Sequence, residues 1–159
     1  MLFRSKIPFD MLYGPAYKGI PLVTSIVIAF ASIGRNIPFA FNRKEEKDHG
    51  EGGVIIGTPL KGKVLIVDDV ISAGTSVNES VNLILKEGAQ PSGIAISIDR
   101  EEKGSGVLSA VEEIKATHHL PICHLTSLKE IMRYIESNTT YASYIDAMRD
   151  YQKEYGIKT

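Results

Sequence analysis

The amino-acid sequence predicts an α/β fold in which a mostly parallel, twisted sheet is flanked by helices. Short runs rich in Val and Ile alternate along the chain with longer segments whose apolar residues recur at helical spacing. This alternation is typical of parallel sheets with crossover helices. The clearest run, residues 64–67, is apolar without polar alternation, so we expect a strand that is buried on both faces.

Length and composition limit the class of protein. With 159 residues, of which 43% are hydrophobic and 23% charged, the chain can bury one sizeable core, and we expect a single domain over residues 1–159. The formal net charge of −1 provides no global basic field for nucleic acid. Cys123 is the chain's single cysteine, and polar residues interrupt its longest apolar stretch, residues 20–33. We therefore expect a cytoplasmic protein with no nucleic-acid or membrane partner.

Strands are predicted where short apolar runs are bounded by turn residues. These runs are residues 10–13, 38–41, 64–67, 93–98 and 121–125. Helices are predicted where apolar residues recur every three or four positions. These segments are residues 18–33, 76–86 and 105–116, with two further helices within residues 128–155. Gly34 and Gly88 follow two of the segments and are expected to end those helices.

Two further features of the sequence, a tyrosine stripe and a Gly-rich segment, predict aspects of the structure. A stripe of tyrosines in the C-terminal helices is typical of a core or a subunit interface, and we assign it no chemistry. It consists of Tyr134, Tyr141, Tyr144, Tyr151 and Tyr155. The Gly-rich residues 50–53 lie between strands and are a candidate lid over a site.

The most informative segment is Val64-Leu65-Ile66-Val67-Asp68-Asp69-Val70-Ile71-Ser72-Ala73-Gly74-Thr75-Ser76. Its two acids stand at the carboxyl end of the predicted strand, where open α/β sheets bind ligands. The turn after them can direct backbone N–H groups and a helix N-terminus at an anion, and its small side chains leave room for one. Carboxylates next to such a turn suit sugar hydroxyls or hydrated Mg²⁺. The segment therefore predicts a site for a sugar phosphate such as ribose 5-phosphate.

Other interpretations of this segment are weaker. Asp68 and Asp69 could instead cap the helix that follows. Two familiar phosphate loops do not match, because the segment has neither the Lys of a P-loop nor the three spaced glycines of a dinucleotide-binding turn.

The segment resembles the phosphoribosyl-pyrophosphate (PRPP) signature of type I phosphoribosyltransferases. Two further segments resemble parts of the orotate phosphoribosyltransferase family, namely Tyr13-Gly14-Pro15-Ala16-Tyr17-Lys18-Gly19-Ile20-Pro21 for its pyrophosphate-binding turn and Phe41-Asn42-Arg43-Lys44-Glu45-Glu46-Lys47-Asp48-His49-Gly50-Glu51-Gly52-Gly53 for its mobile catalytic loop. The similarity extends from about Ile7 to the C-terminus. It implies a type I phosphoribosyltransferase fold and a glycosyltransferase that forms orotidine 5-monophosphate and pyrophosphate from orotate and PRPP, in UMP synthesis.

The resemblance assigns roles to individual residues. Those expected to bind PRPP are Tyr17, Lys18, Arg43, Lys44, Lys47, His49, Asp68, Asp69, Val70, Ile71, Ser72, Ala73, Gly74, Thr75 and Ser76. Those expected to be catalytic are Lys47, His49, Asp68 and Asp69. The cations would neutralise the departing pyrophosphate, while the acids would hold ribose hydroxyls and favour positive charge on the ribose ring. Mg²⁺ is expected to be carried mainly by PRPP, with no metal ligands supplied directly by the protein.

The charged loop also bears on assembly. In the family, the catalytic lysine of the loop reaches the neighbouring subunit's site, so the resemblance implies a homodimer in which Lys47 acts across the interface. Without the resemblance, a run of charges flanked by glycines is usually only a solvated loop.

Arg100 follows the predicted strand 93–98 and by resemblance pairs with the carboxylate of orotate. A guanidinium has the bidentate geometry that a carboxylate prefers. Ser72 occupies the position where the family often has a Thr that contacts the same base. The alternative is a surface pair of Arg100 with Asp99, Glu101 or Glu102.

The start of the chain is the main departure from the family. Members begin with a segment of several tens of residues that forms a hood over orotate, whereas residues 1–6 align only with the end of a family helix. We therefore expect the N-terminal hood to be largely absent and carry two classes of function. One is orotate phosphoribosyltransferase, and the other is a non-catalytic PRPP-binding module or partner subunit. A purine-type phosphoribosyltransferase is disfavoured because residues 47–51 match the orotate family's loop.

Overall fold

A six-stranded sheet forms the centre of the fold in a computed structural model, which describes residues 5–47 and 53–157. Its strands are β1 (Met11–Gly14), β2 (Phe39–Lys47), β3 (Gly53–Gly57), β4 (Lys63–Asp68), β5 (Gln90–Asp99) and β6 (Ile122–Ser127). The spatial order is β3-β2-β1-β4-β5-β6. All neighbouring strands are parallel except β2 and β3, which are antiparallel. The predicted mostly parallel sheet is thus confirmed.

Helices cover both faces of this sheet. They are α1 (Gly19–Ser32), α2 (Thr75–Lys86), α3 (Ala110–His118), α4 (Leu128–Glu136) and α5 (Ile145–Tyr155), with a 3₁₀-helix at Thr139–Tyr144. Gly34 and Gly88 follow α1 and α2 with φ angles of 77° and 75°, so both predicted helix stops are confirmed. Within the described part of the chain, no helix has the length and apolar character needed to cross a membrane.

Strand β4 is buried on both faces, as its sequence predicts. Val64 and Ile66 belong to the core on the side of α2 and α3, whereas Leu65 and Val67 belong to the core on the side of α1. None of the four is more than 3% exposed. Side chains alternate between the faces of a strand, so a continuous apolar run fills both cores and holds the end of β4 rigidly.

The charged segment after residue 41 differs from its prediction. The predicted strand 38–41 continues as β2 to Lys47, and β3, which is not among the predicted strands, pairs with it. Phe41 and Asn42 lie opposite Ile56 and Ile55 in this pairing. Because β3 supplies hydrogen-bond partners to β2, a charged sequence that resembles a loop is held in extended form.

The third helix begins later than predicted. Residues 105–109 precede α3 instead of forming its first turns, because the Glu113 carboxylate accepts hydrogen bonds from the backbone N–H groups of Ser105 and Gly106. The helix begins after Ser109, whose side chain and that of Glu112 form a reciprocal capping box.

The C-terminal tyrosines do not form a core. Tyr134, Tyr141, Tyr144 and Tyr155 are between 43% and 61% exposed, and α5 has no buried residue. Their helical spacing produces ring contacts along the surface, such as the 4.8 Å centroid separation of Tyr151 and Tyr155. The core alternative for this stripe is therefore wrong for these residues.

Candidate functional site

Two turns meet where the strand order of the sheet reverses. β1 and β4 are parallel neighbours, and the chain continues from β1 towards β2 on one side and from β4 towards β5 on the other. The turns after β1 and β4 line a cavity of about 270 Å³ through residues 16–18 and 68–77. Open α/β sheets bind ligands at such a switch point, so the fold brings two of the predicted motifs into one site.

Asp68 is the buried acid of the site. It is 8% exposed and accepts hydrogen bonds from the backbone N–H of Asp69 at 2.9 Å and from the Ser76 hydroxyl at 3.1 Å. Burial raises the pKa of Asp68 above its ordinary value, although both hydrogen bonds oppose the shift. These contacts fix the carboxylate at the end of β4 and do not cap the first N–H groups of α2, which counts against the capping alternative.

Asp69 faces the turn after β1. Its Oδ2 lies 2.7 Å from Lys18 Nζ, and the side chains are 28% and 75% exposed. Partial burial acts to raise the pKa of Asp69, but the hydrogen bond and positive charge of Lys18 outweigh burial and hold the pKa below the ordinary value. The two neighbouring acids therefore differ, since Asp69 is ionised and paired while Asp68 is buried.

The N-terminus of α2 is open towards the cavity. Gly74 precedes the helix with a φ of 73° and provides no side-chain cap, while Ile71 is 4% exposed and anchors the turn in the core. Ser72 and Thr75 are exposed. Backbone N–H groups at a helix N-terminus that lack a side-chain cap form a ready anion site.

The turn after β1 is held by close backbone packing. A Cβ at Gly14 would clash with Gly19 O, and one at Gly19 would lie 2.8 Å from Val67 O, so neither position has room for a side chain. The backbone N–H of Ala16 donates to Asn42 Oδ1 at 2.8 Å. Asn42 is thus a supporting residue that the sequence prediction did not single out. The available signal was a polar amide within an otherwise apolar strand start.

The basic residues of β2 differ in their contacts. Lys44 Nζ lies 5.1 Å from the centroid of the Tyr17 ring, so these two predicted residues are brought together. Arg43 precedes Lys44 in β2. Its Nε is buried and has no hydrogen-bond partner among the described residues.

The catalytic residues of the charged loop are described in part. The backbone of Lys47 ends β2 opposite Gly53, and its side chain is not described. His49 lies outside the described residues. Their predicted roles stay predictions.

Arg100 lies beside the turn after β4. Its Nη2 donates to the Ser72 hydroxyl at 2.5 Å and to Glu102 Oε2 at 2.8 Å. The two residues predicted to contact the acceptor base, Arg100 and Ser72, are therefore adjacent. Arg100 also forms one of the ion pairs of the alternative interpretation, the pair with Glu102. Glu102 accepts a second hydrogen bond from the Tyr151 hydroxyl of α5. No local sequence pattern connects residues this far apart in the chain.

The described residues contain no group of three or more His, Cys, Asp or Glu side chains that could hold a metal ion. The paired carboxylates of Asp68 and Asp69 fit a hydrated Mg²⁺ that arrives on a ligand, since Mg²⁺ keeps several waters and takes few protein ligands.

Comparisons with known proteins identify the family of this chain. Residues 2–116 match the phosphoribosyl transferase domain family. The chain is 56% identical over 154 residues to the orotate phosphoribosyltransferase of Chromobacterium violaceum, covering 97% of this chain and 72% of that protein. It is 52% identical over 157 residues to the enzyme of Neisseria meningitidis, covering 99% and 74%.

A solved structure shows the same fold. The crystal structure of orotate phosphoribosyltransferase from Francisella tularensis superposes with a TM-score of 0.79 at 36% identity, covering 98% of this chain and 71% of that one. The chain therefore belongs to the orotate phosphoribosyltransferase family of pentosyltransferases.

Proposed function

We propose that this chain transfers the 5-phosphoribosyl group from PRPP to orotate, releasing pyrophosphate and forming orotidine 5-monophosphate for pyrimidine biosynthesis. One observation carries the proposal. An open helix N-terminus, a pair of carboxylates and a lysine meet in one cavity at the switch point of the sheet. A ribose phosphate with a pyrophosphate leaving group requires that combination of a phosphate cradle, acceptors for hydroxyls and a cation.

PRPP binds through its 5-phosphate at the start of α2. The turn of residues 70–76 directs its backbone N–H groups at the phosphate, and the Ser and Thr hydroxyls add donors. Asp68 and Asp69 accept hydrogen bonds from the ribose hydroxyls and stabilise the positive charge that develops on the ribose ring. The binding energy of the phosphate is thus used to position C1 of the ribose for reaction.

Cations meet the departing pyrophosphate. Lys18 is 75% exposed at the mouth of the turn and exchanges its contact with Asp69 for one with the leaving group. Arg43, Lys44 and Lys47 add positive charge, and His49 donates a hydrogen bond or a proton. Mg²⁺ carried by PRPP supplies further neutralising charge when it is bound, with Asp68 and Asp69 as the carboxylates that can approach its water shell.

Arg100 and Ser72 select the acceptor. Their contact at 2.5 Å places a guanidinium and a hydroxyl side by side next to the phosphate turn. A guanidinium pairs well with the carboxylate that distinguishes orotate from simpler pyrimidines.

We also propose a domain organisation, an oligomeric state and a cellular location for this chain. We infer that residues 1–159 form one domain, since one sheet joins all six described strands. The resemblance of the charged segment supports a homodimer in which Lys47 acts in the partner subunit's site. The net charge of −1 and the composition support a cytoplasmic enzyme without nucleic-acid or membrane partners.

The alternative of a non-catalytic PRPP-binding module has less support. Both relatives reported above are named as transferases. Lys47 and His49 are present in the segment that resembles the catalytic loop, and a pure binder of PRPP would not require cations for the leaving group.

A spectrophotometric assay of orotate consumption with PRPP and Mg²⁺ tests the proposal. We expect turnover that falls by about a hundredfold or more in Lys47→Ala, since removal of one preorganised charge from a transition state has effects of this size. Lys86→Ala, at the far end of α2, is the matched control and should retain activity. No turnover together with intact calorimetric binding of PRPP would support the non-catalytic module instead.

A further inference from the structure

A hydrogen-bonded chain connects the C-terminal helix to the acceptor-base side of the site. Arg100 Nη2 contacts Glu102 Oε2 at 2.8 Å, and the side chains are 34% and 15% exposed. The other oxygen of Glu102 accepts from the Tyr151 hydroxyl of α5. Glu102 therefore uses one carboxylate oxygen for the arginine and the other for the tyrosine.

The backbone around Glu102 is also held in place. Glu101 has a φ of 54°, unusual for a residue other than glycine, and its N–H donates to Asp99 Oδ1 at 2.9 Å. Glu102 O accepts from the first N–H of α3 at 3.0 Å, and Lys103 N donates to Tyr155 O of α5 at 2.8 Å. The turn at Glu101 thus brings Arg100 and Glu102 to one place, while the ends of α3 and α5 fix it.

We propose that Glu102 and Tyr151 are positioning residues that hold the Arg100 guanidinium ready for the carboxylate of the acceptor base. This inference rests on the proposed function, in which Arg100 pairs with that carboxylate. Both contacts of Arg100, to Ser72 and to Glu102, use Nη2 and therefore leave Nη1 for the ligand. An arginine side chain loses considerable rotamer freedom when it binds, and one that is already held loses less.

Tyr151 contributes through the position of Glu102. The hydrogen bond to Glu102, followed by partial burial, raises the pKa of the Tyr151 hydroxyl, so the hydroxyl keeps its proton and remains a donor at neutral pH. Without this donor, Glu102 has only the arginine and solvent to orient it. The guanidinium then samples more rotamers, and the carboxylate-dependent part of acceptor binding decreases.

Two nucleotides isolate this effect. Orotidine 5-monophosphate and UMP share the ribose phosphate and differ only in the carboxylate of the base. Isothermal titration of the full chain with each nucleotide gives a ratio of the UMP to the orotidine 5-monophosphate dissociation constant. This ratio measures how much the carboxylate contributes to binding, whereas a general loss of folded protein changes both affinities alike.

The variants make the test specific. We expect Tyr151→Phe to lower the ratio by about threefold to tenfold, the usual effect of one lost positioning hydrogen bond. Glu102→Ala should lower it further, and Glu102→Gln, which keeps an acceptor oxygen, should restore part of it. Tyr144→Phe removes an exposed hydroxyl at the start of α5 and should leave the ratio unchanged. Arg100→Ala is the reference in which the contribution of the carboxylate is lost.

The outcomes separate this inference from the proposed function. If Arg100→Ala lowers the ratio but Tyr151→Phe and Glu102→Ala do not, the positioning role is overturned and the proposed function is retained. If Tyr151→Phe weakens both nucleotides equally, Tyr151 has only a structural role and the inference is also overturned. If Arg100→Ala leaves the ratio unchanged, the assignment of Arg100 fails and the inference fails with it. If the original chain binds neither nucleotide, the proposed function is overturned as well.

Discussion

At the scale of single residues, Asp68 and Asp69 show how position changes the chemistry of one residue type. Burial raises the pKa of Asp68, whereas Lys18 outweighs partial burial and lowers the pKa of Asp69. Ionisation of Asp68 therefore opposes folding, and ionisation of Asp69 favours it. The site keeps a buried carboxylate that reduces stability, which is expected where acceptors for a ligand are needed.

We predict that Asp68→Asn raises the free energy of unfolding at pH 7 and lowers PRPP affinity. A group whose folded pKa is raised contributes stability below its ordinary pKa and loses that contribution as pH rises through the folded value. The uncharged Asn avoids this loss, so the stability difference between variant and original chain should grow from pH 4 to pH 7. Urea denaturation across this range measures it.

Asp69→Asn is the matched control for that experiment. The pKa of Asp69 is lowered in the folded chain, so its ionised carboxylate stabilises the fold above the ordinary pKa of an Asp. Asp69→Asn should therefore be less stable than the original chain at pH 7, and this difference should be smaller at pH 4. The effect should be small because Lys18 is 75% exposed and solvent screens the pair. An Asp68→Asn chain that is less stable than the original chain at pH 7 would contradict the prediction that ionisation of Asp68 opposes folding.

At the scale of elements, turns and helix ends place the functional side chains. The turn after β1 contacts β4 through Gly19, where a Cβ would lie 2.8 Å from Val67 O. This close contact brings Lys18 to Asp69. Capping boxes at Ser109 and Ser127 set the first residues of α3 and α4. Contacts at element ends thus set where these helices begin and bring Lys18 beside Asp69.

We predict that Gly19→Ala lowers the free energy of unfolding by about 1–3 kcal/mol, the usual effect of overpacking, and weakens PRPP binding. The new methyl group would meet the backbone of β4 and push the turn away, separating Lys18 from Asp69. Chemical denaturation and calorimetry with PRPP measure the two effects.

Gly88→Ala separates crowding from backbone strain. Gly88 has a φ of 75°, but a Cβ at this position would have no heavy atom within 4 Å apart from those of its chain neighbours. This variant should therefore lower stability by about 1 kcal/mol through strain alone and keep its PRPP affinity. Equal losses of PRPP affinity in both variants would show that the contact between Gly19 and β4 is not what positions Lys18.

Removal of a capping box should lower stability by about as much as Gly88→Ala. We predict that Ser109→Ala and Ser127→Ala each lower the free energy of unfolding by about 1 kcal/mol, because each leaves N–H groups at a helix N-terminus without their side-chain acceptor. Urea denaturation checks the loss. Ser137→Ala provides the comparison, since its hydroxyl donates to Tyr134 O at the end of α4 and caps no N-terminus. Losses no larger than in Ser137→Ala would contradict this role for the caps.

At the scale of the whole molecule, the order β3-β2-β1-β4-β5-β6 creates the site. The reversal between β1 and β4 places the turn at Lys18 beside the acids at the end of β4, and the strand β5 brings Arg100 to the same edge. Residues distant in the chain therefore meet at the carboxyl ends of adjacent parallel strands. In the proposed homodimer, Lys47 of each chain acts in the partner subunit's site.

We predict that two inactive variants restore activity when mixed. In a hybrid dimer of Lys47→Ala and Asp69→Asn subunits, one site retains both a functional Lys47 from one chain and a functional Asp69 from the other, so about half of the hybrids' sites should be complete. Co-refolding followed by the orotate assay measures recovery. Hybrid dimers detected by native mass spectrometry that stay inactive would contradict action across the interface, and the parent homodimers provide the baseline.

Much of the fold and part of the site can be predicted from the sequence. The apolar run of β4 and the helical spacing of α2 are local patterns of apolar residues, so strand, turn and helix follow in order. Gly34 and Gly88 mark helix ends by their positive φ, which is also a local property. The same local signal misplaced the start of α3, because the Glu113 side chain binds the backbone of Ser105 and Gly106. It also misplaced the end of β2, because β3 supplies hydrogen-bond partners from another part of the chain.

The sequence by itself determined the fold class, the phosphate turn and the resemblance to the orotate phosphoribosyltransferase family, because each depends on neighbouring residues and their spacing. Only the tertiary structure decided which distant side chains touch. The contact of Asn42 with Ala16, the contact of Lys44 with Tyr17, and the link from Arg100 through Glu102 to Tyr151 all join separate elements. The physical reason is that burial and hydrogen bonding between elements depend on the packing of the whole sheet, which no local pattern contains.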